Sequence, residues 1–299
     1  MTYSIVARDP QTGRFGIAVQ SHYLGVGPVV PWLEAGVGAV ATQASVNVSF
    51  GPIGLELLRS GQRAEQVVAA LLAGDDNPQV RQVGVVDSEG GTAAHTGSDC
   101  ILACGHLVRD GFTVQGNLLA RDTCWPAMAA AYEAGLAEGV PFVERMLRAM
   151  EAAEREGGDV RGRQSAAIMV YAAEVQQAAW RGRLMDMRIE DHPDPVPELR
   201  RIVTLQLAYD LLNDEGDAAK GGATADERYA EARRMAPDAY ELVFWTALDL
   251  VKRGDMAGAR REMAIAVAAD ESWRHTLEHL AEGRREGITP ELAAELLGS

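Results

Sequence analysis

Cysteine is scarce in this chain: Cys100, Cys104 and Cys124 are the only three in 299 residues. An odd number without framework spacing excludes a disulfide scaffold and fits a reducing compartment, so a cytoplasmic location is expected. Basic side chains are also few. Against 43 Asp and Glu stand 28 Lys and Arg, and the net charge of −15 opposes long contacts with phosphate backbones or anionic lipid. Neither nucleic acid nor a membrane is an expected partner. No run approaches the roughly 20 apolar residues that a membrane-spanning helix needs, and the start, MTYSIVARDP, lacks the basic and apolar segments of an export signal. HExxH, GxSxG and GxxxxGK are all missing, which leaves metalloprotease, serine-esterase and P-loop chemistry without support. The run Cys100-x3-Cys104-x-His106 supplies three ligands at a spacing unlike a zinc knuckle, so buried small residues explain it better. His275 and His279 share a helix face without a third ligand nearby. No metal and no cofactor is expected.

What remains is an ordinary globular composition, 47% hydrophobic and 24% charged, long enough for one large domain or two smaller ones. Residues 3–8 and 15–20 are β-forming runs around the turn cluster Asp9-Pro10-Gln11-Thr12-Gly13, which predicts a hairpin at the N-terminus. A strand over 37–43 precedes helices over 51–59 and 64–73. Strands over 80–87, 92–96 and 112–115 lead to helices over 123–133 and 140–154, and strands over 165–172 and 184–189 close the series. Two helix pairs covering two stacked sheets satisfy this order, whereas a doubly wound sheet or an all-β sandwich does not. Asp191 to Pro197 carries three prolines in five residues and is expected to break regular structure. The expected domains are therefore 2–197, mixed α+β, and 198–299, all helical.

In the second part Ala247, Leu250, Ala259 and Ala266 flank Gly254-Asp255 as in a tetratricopeptide-like repeat of about 34 residues, with Pro237 ending the preceding unit. Such helices recruit a protein partner, dimerise, or simply cap the first domain. The large residues Tyr240, Phe244, Trp245 and Trp273 argue for a homo-oligomer, a dimer being the simplest.

The candidate chemistry begins at Thr2. A small second residue permits removal of Met1, which would place a free α-amine, with an ordinary pKa of about 7.7 to 8.0, beside a hydroxyl. One residue then supplies nucleophile and base. An ordinary N-terminal threonine is the simpler account, but here the strand directly behind Thr2 would hold it at a sheet end.

TYSIVARDPQTGRFGIAVQS, VGAVATQA, RQVGVVDSEG, VQGNLLA, RGRQSAA and MRIEDHPDPVPELRR resemble successive blocks of domain-of-unknown-function family 1028 over about residues 2 to 200. The resemblance implies the N-terminal-nucleophile (Ntn) hydrolase superfamily: a four-layer αββα sandwich with its nucleophile at the start of the first strand. It also implies an acid and hydroxyls that orient the terminal amine, for which Gln43, Ser45, Asp159, Gln164 and Ser165 are the candidates. From the residues themselves, Gln115-Gly116-Asn117 offers an oxyanion stabiliser, with the Asn117 carboxamide and a backbone NH beside Gly116, although a polar turn would look the same. Ser21-His22 ends the hairpin's second strand and could line the same cleft.

The expected activity is hydrolysis of a small linear amide or ureido bond through Thr2. The rival expectations are an Ntn-like scaffold without turnover, whose helices recruit a partner, and a cysteine-dependent hydrolase using Cys104.

Overall fold

The computed structural model describes residues 2–213 and 224–298, in two compact units, 1–200 and 201–299. In the first unit, strands β1 (Thr2–Arg8) and β2 (Phe15–Ser21) form an antiparallel hairpin with Tyr3 opposite Gln20 and Arg8 opposite Phe15. The turn between them is organised by Asp9, whose carboxylate accepts from the backbone and hydroxyl of Thr12. The remaining strands are β3 (Pro31–Glu34), β4 (Gly38–Ala44), β5 (Arg81–Asp87), β6 (Thr92–Thr96), β7 (Gly105–Arg109), β8 (Phe112–Asn117), β9 (Ser165–Tyr171) and β10 (Arg183–Ile189). They make a six-stranded sheet ordered β10-β9-β2-β1-β8-β7 and a four-stranded sheet ordered β3-β4-β5-β6, with antiparallel pairing throughout.

Period-2 alternation gives each sheet two apolar faces, as burial on both sides demands. Val6, Ile17, Val19 and Met169 of the larger sheet meet Ala39, Ala41 and Val86 of the smaller one in a shared core. On the opposite face of the smaller sheet, Val40, Val83 and Val85 pack beneath helices α1 (Phe50–Arg59) and α2 (Ala64–Ala73). Helices α3 (Cys124–Ala137) and α4 (Phe142–Arg155) pack against β1, β2, β7 and β8 of the larger sheet.

The expected central strands and four helices are present with small shifts at their ends. The runs that become β3 and β7 carry no such expectation. Both are short edge strands with half-buried residues, so they lack the continuous apolar run that identifies a doubly covered strand. The proline segment also differs from expectation. Pro195 and Pro197 lie in the first turn of α5 (Pro195–Asn213), where their missing NH groups would have no helical partner anyway. The division between the units falls inside this helix, after Arg200, which pairs with Glu144 and Glu151 of α4.

The second unit contains α6 (Ala225–Met235), α7 (Tyr240–Lys252), α8 (Met256–Ala269), α9 (Ser272–Glu282) and α10 (Pro290–Leu297). Side-chain caps start several of them, Thr224 with Glu227 in a reciprocal box and Asp255 on the Gly258 NH. Ala247, Ala259 and Ala266 are fully buried between α7 and α8 and partners, while Gly254 turns the chain at a φ of 81°. Of the aromatic residues Tyr240, Phe244, Trp245 and Trp273, one is buried, two are half-buried and one is exposed. Phe244 is fully buried and stacks on Trp273 at 5.1 Å, and Trp245 alone of the four is exposed. Among the described residues no helix is long and apolar enough to cross a membrane.

One buried charge pair holds the hairpin turn to the helical layer. Arg145 of α4 bonds to Asp9, both almost completely buried, and its guanidinium lies 5.4 Å from the rings of Tyr132 and Phe142. Burial alone would raise the Asp9 carboxyl, but the Thr12 hydroxyl and Arg145 outweigh it and hold the group below its ordinary value. Asp9→Ala is expected to cost about 3–5 kcal/mol in urea unfolding, because the guanidinium is left buried without its partner. Since the folded carboxyl is the more acidic form, its stabilisation is complete above the unfolded pKa of about 3.9 and is lost as pH falls through the folded value. Stability of the Asp9→Ala protein should accordingly fall less steeply in that acidic range.

Candidate active site

Thr2 is the first residue of β1, and β1 is an interior strand flanked by β2 and β8. Alternation turns Thr2, Ser4 and Val6 toward the second sheet and Tyr3 and Ile5 toward the helices. Val6 accordingly belongs to the core between the sheets, and the Tyr3 hydroxyl donates to Glu154 of α4. The same parity directs Thr113, Gln115 and Asn117 of β8, Gln43 of β4, and Gln82 and Gly84 of β5 into the space between sheets. That layer is therefore apolar at the hairpin end and polar at the Thr2 end.

The polar end is one connected network centred on Gln82, which is completely buried. Its carbonyl oxygen accepts from Gln43 Nε2 at 2.7 Å and Asn117 Nδ2 at 2.8 Å. Its Nε2 faces the Gly116 carbonyl at 2.8 Å, the Thr96 hydroxyl at 2.9 Å and the Gly105 carbonyl at 3.1 Å. Gln43 also accepts from the Ser4 hydroxyl, which in turn accepts from Gln115 Nε2, each at 2.7 Å. Gly84 makes room for this chain, since a Cβ there would lie 2.5 Å from Gln115 Oε1.

Thr2 sits at the margin of the network, 5% exposed. Its hydroxyl donates to Ser21 Oγ at 3.1 Å, across the β1–β2 hairpin. Its carbonyl receives two long contacts, 3.4 Å from Gln43 Nε2 and 3.5 Å from Asn117 Nδ2. Asn117 is its direct partner in the ladder. Beyond Gln43 and Asn117 the chain turns through Ala44 and Leu118 with φ of 70° and 52°, a conformation that costs non-glycine residues free energy and recurs at functional sites.

The other expected residues are distributed around this end. Gly116 lies in the middle of the ladder between Tyr3 and Gly105 and contributes its carbonyl to Gln82. Ser45 is exposed on the rim, where its carbonyl accepts from Arg81. The Asp159 carboxylate is engaged by the His22 backbone NH at 2.8 Å and by Arg161, so it braces the end of β2. Ser165 fixes the loop after β2, donating to the Tyr23 carbonyl and accepting from the Val26 NH. Gln164 reaches Asp191, near the end of β10, instead of the Thr2 network. The expected removal of Met1 concerns a residue outside the described ones.

Gln82 and Ser4 carry no expected role, although parity gives the face on which they lie: each is a polar side chain two residues from an inward-facing position of a buried strand. Cys104 bonds to the Cys100 carbonyl, and burial raises both thiols above their ordinary range, which disfavours the thiolate a cysteine nucleophile requires. His106 joins the network's far edge through Thr96 at 2.8 Å; burial lowers its pKa and favours the neutral ring. His95 faces the Pro78 carbonyl.

Comparison with known proteins finds a family and a solved structure of that family. The model of a family of unknown function, DUF1028, matches residues 2–199. A protein of that family from Silicibacter pomeroyi, known from a crystal structure, is 30% identical and superimposes with a TM-score of 0.60 over 73% of this chain and 92% of its own. No curated protein matches the chain.

Gln82→Leu would leave the Gln43 and Asn117 amides without their shared acceptor. It is expected to lower stability by about 2–4 kcal/mol in denaturant titration, the desolvation penalty of stranded buried donors. Gln164→Ala, at a half-exposed site, should change it by less than about 1 kcal/mol.

Proposed function

The chain belongs to DUF1028, a family of unknown function, and on that footing we propose that it is an N-terminal-nucleophile amide hydrolase with Thr2 as its nucleophile. One observation carries the reading: Thr2 opens an interior strand, its hydroxyl hydrogen-bonded at 3.1 Å beside a buried polar network between two sheets. Two facing sheets with a helix pair packed on each also suit the four-layer αββα sandwich of Ntn hydrolases, although fold alone does not assign activity.

In this mechanism Met1 is removed and the freed α-amine takes the Oγ proton as Thr2 attacks the carbonyl of a linear amide or ureido bond. The oxyanion needs a donor held before the reaction begins. Asn117 Nδ2 suits the role because its bond to Gln82 fixes the carboxamide, while its second contact, at 3.5 Å, is weak enough to be exchanged for the oxyanion. Gly116 serves as frame, and Ser21 positions the Thr2 hydroxyl. The C–N bond then breaks, the amine leaves with the transferred proton, and water releases the acyl group.

The same hydrogen bonds favour one alternative, an Ntn-like binding protein without turnover, since a satisfied network is stable by itself. In either case we read the C-terminal helices as a tetratricopeptide-like module that recruits a protein partner or makes a dimer. The buried Ala247, Ala259 and Ala266 support helix pairing of that kind.

The test is a panel of linear amides, ureido acids and acyl-amino acids assayed with protein whose mature N-terminus is verified by mass. Thr2→Ala should remove turnover, by at least about a thousandfold, without loss of folding, and Thr2→Ser should retain part of it. A tag left on the N-terminus should be as damaging as alanine, because it converts the base into an amide. Full activity in a verified tagged protein would eliminate the mechanism.

A further inference from the structure

The strand ends that hold the Thr2 network continue into loops with an unusual surface. Tyr23 and Leu24 follow β2, Val46 follows β4, Ile101 and Leu102 precede β7, and Val160 precedes β9; these six are between 39% and 80% exposed. Scattered exposed apolar residues are normal, but these are concentrated on four loops at one end of the sheets. The loops are also tied to the site. Leu118, next to Asn117, donates to the Ile101 carbonyl at 2.8 Å and accepts from the Val160 NH at 3.4 Å. Ser165 bonds the Tyr23 carbonyl at 2.5 Å, and the Thr42 hydroxyl bonds the Asn47 carbonyl at 3.0 Å, beside Val46. The apolar side chains are thus carried on backbone already anchored, which is how a specificity rim avoids an ordering cost on binding.

The charges at this end point the same way. Arg81 is paired with Asp75, Arg161 with Asp159, Arg121 with Glu156, and Arg163 with Glu154 and Asp194, while Asp99, on the loop before β7, adds an exposed negative charge. An anionic acyl group is disfavoured here.

We propose that the substrates are amides whose acyl group is uncharged, apolar and longer than acetyl, selected by this rim with Leu102 and Val46 as specificity residues; this rests on the hydrolase reading above. As the Thr2 Oγ–acyl bond forms, the C–N bond breaks and the hydroxyl proton departs with the amine. Water then regenerates the hydroxyl and releases the carboxylic acid.

The experiment uses the full chain with a verified N-terminal threonine and the p-nitroanilides of acetic, butyric, hexanoic and succinic acids. The specificity constant kcat/KM should rise by up to about fourfold for each methylene that becomes buried, and butyryl should exceed the anionic succinyl by about tenfold. Leu102→Ser, at an 80% exposed position, should reduce the preference for hexanoyl over acetyl at least about threefold. Equal rates along the series would overturn the inference while leaving the hydrolase reading intact. If no anilide is cleaved, the hydrolase reading is what fails, and calorimetric binding of hexanamide against acetamide to the Thr2→Ala protein decides the rim. Tighter hexanamide binding that Leu102→Ser weakens supports it, and binding independent of length overturns it. A Leu102→Ser change that only converts a dimer to a monomer by light scattering would assign the rim to a second copy and likewise overturn it.

Discussion

Buried carboxamides between two sheets must satisfy one another, and the Thr2 end of the first unit is organised by that requirement. Gln82 accepts from two neighbouring side-chain amides, on β4 and β8, and donates toward backbone carbonyls of β7 and β8. Four strands from both sheets are thereby locked in one register at the place where β1 begins. A slip of one residue in β4, β5 or β8 would turn its polar side chain to the helix side and strand several buried donors at once. The polar network consequently specifies the alignment of the sheets, whereas the alanine and valine core at the other end supplies apolar burial without comparable directionality.

This division also explains why Thr2 is well placed although it is the first described residue. An N-terminal residue ordinarily frays. Here it is paired on both sides, with Ser21 across the hairpin and Asn117 across the β1–β8 ladder, and its carbonyl faces two amides of the network. The far end of the hairpin is held separately, by Asp9 and Arg145. A strand anchored at both ends presents its first hydroxyl at a defined position, the precondition for using that hydroxyl chemically.

Much of the fold was legible because the central strands and amphipathic helices carry strong periodicity. The hairpin, β4, β5 and the four helices of the first unit follow directly from it. The edge strands β3 and β7 did not, since runs of four and five residues that are only partly buried are too short and too mixed to show a period. The proline segment misled for a different reason: Pro195 and Pro197 forbid a helix interior but suit a helix start, and which applies depends on what the following turn packs against. Tyr240, Phe244 and Trp273 pack in the core of the second unit, and large residues at helical spacing read the same whether they fill a core or cover a partner.

For the site, the local sequence determined chemistry type: a threonine at position 2, an Asn at the end of β8, a Gln at the end of β4, and the absence of known metal and serine-nucleophile motifs. Tertiary structure decided which of these meet. Gln43 and Asn117 converge on Thr2 because antiparallel pairing and sheet stacking bring strand ends 41 and 115 residues away in sequence to one edge, and Gln82 becomes the centre only through that convergence. Asp159, Gln164 and Ser165 instead brace the loop after β2 and the end of β10. Side-chain parity is a local property readable along a strand, but the partner of a buried polar group is set by long-range packing, and no spacing in a single chain encodes it.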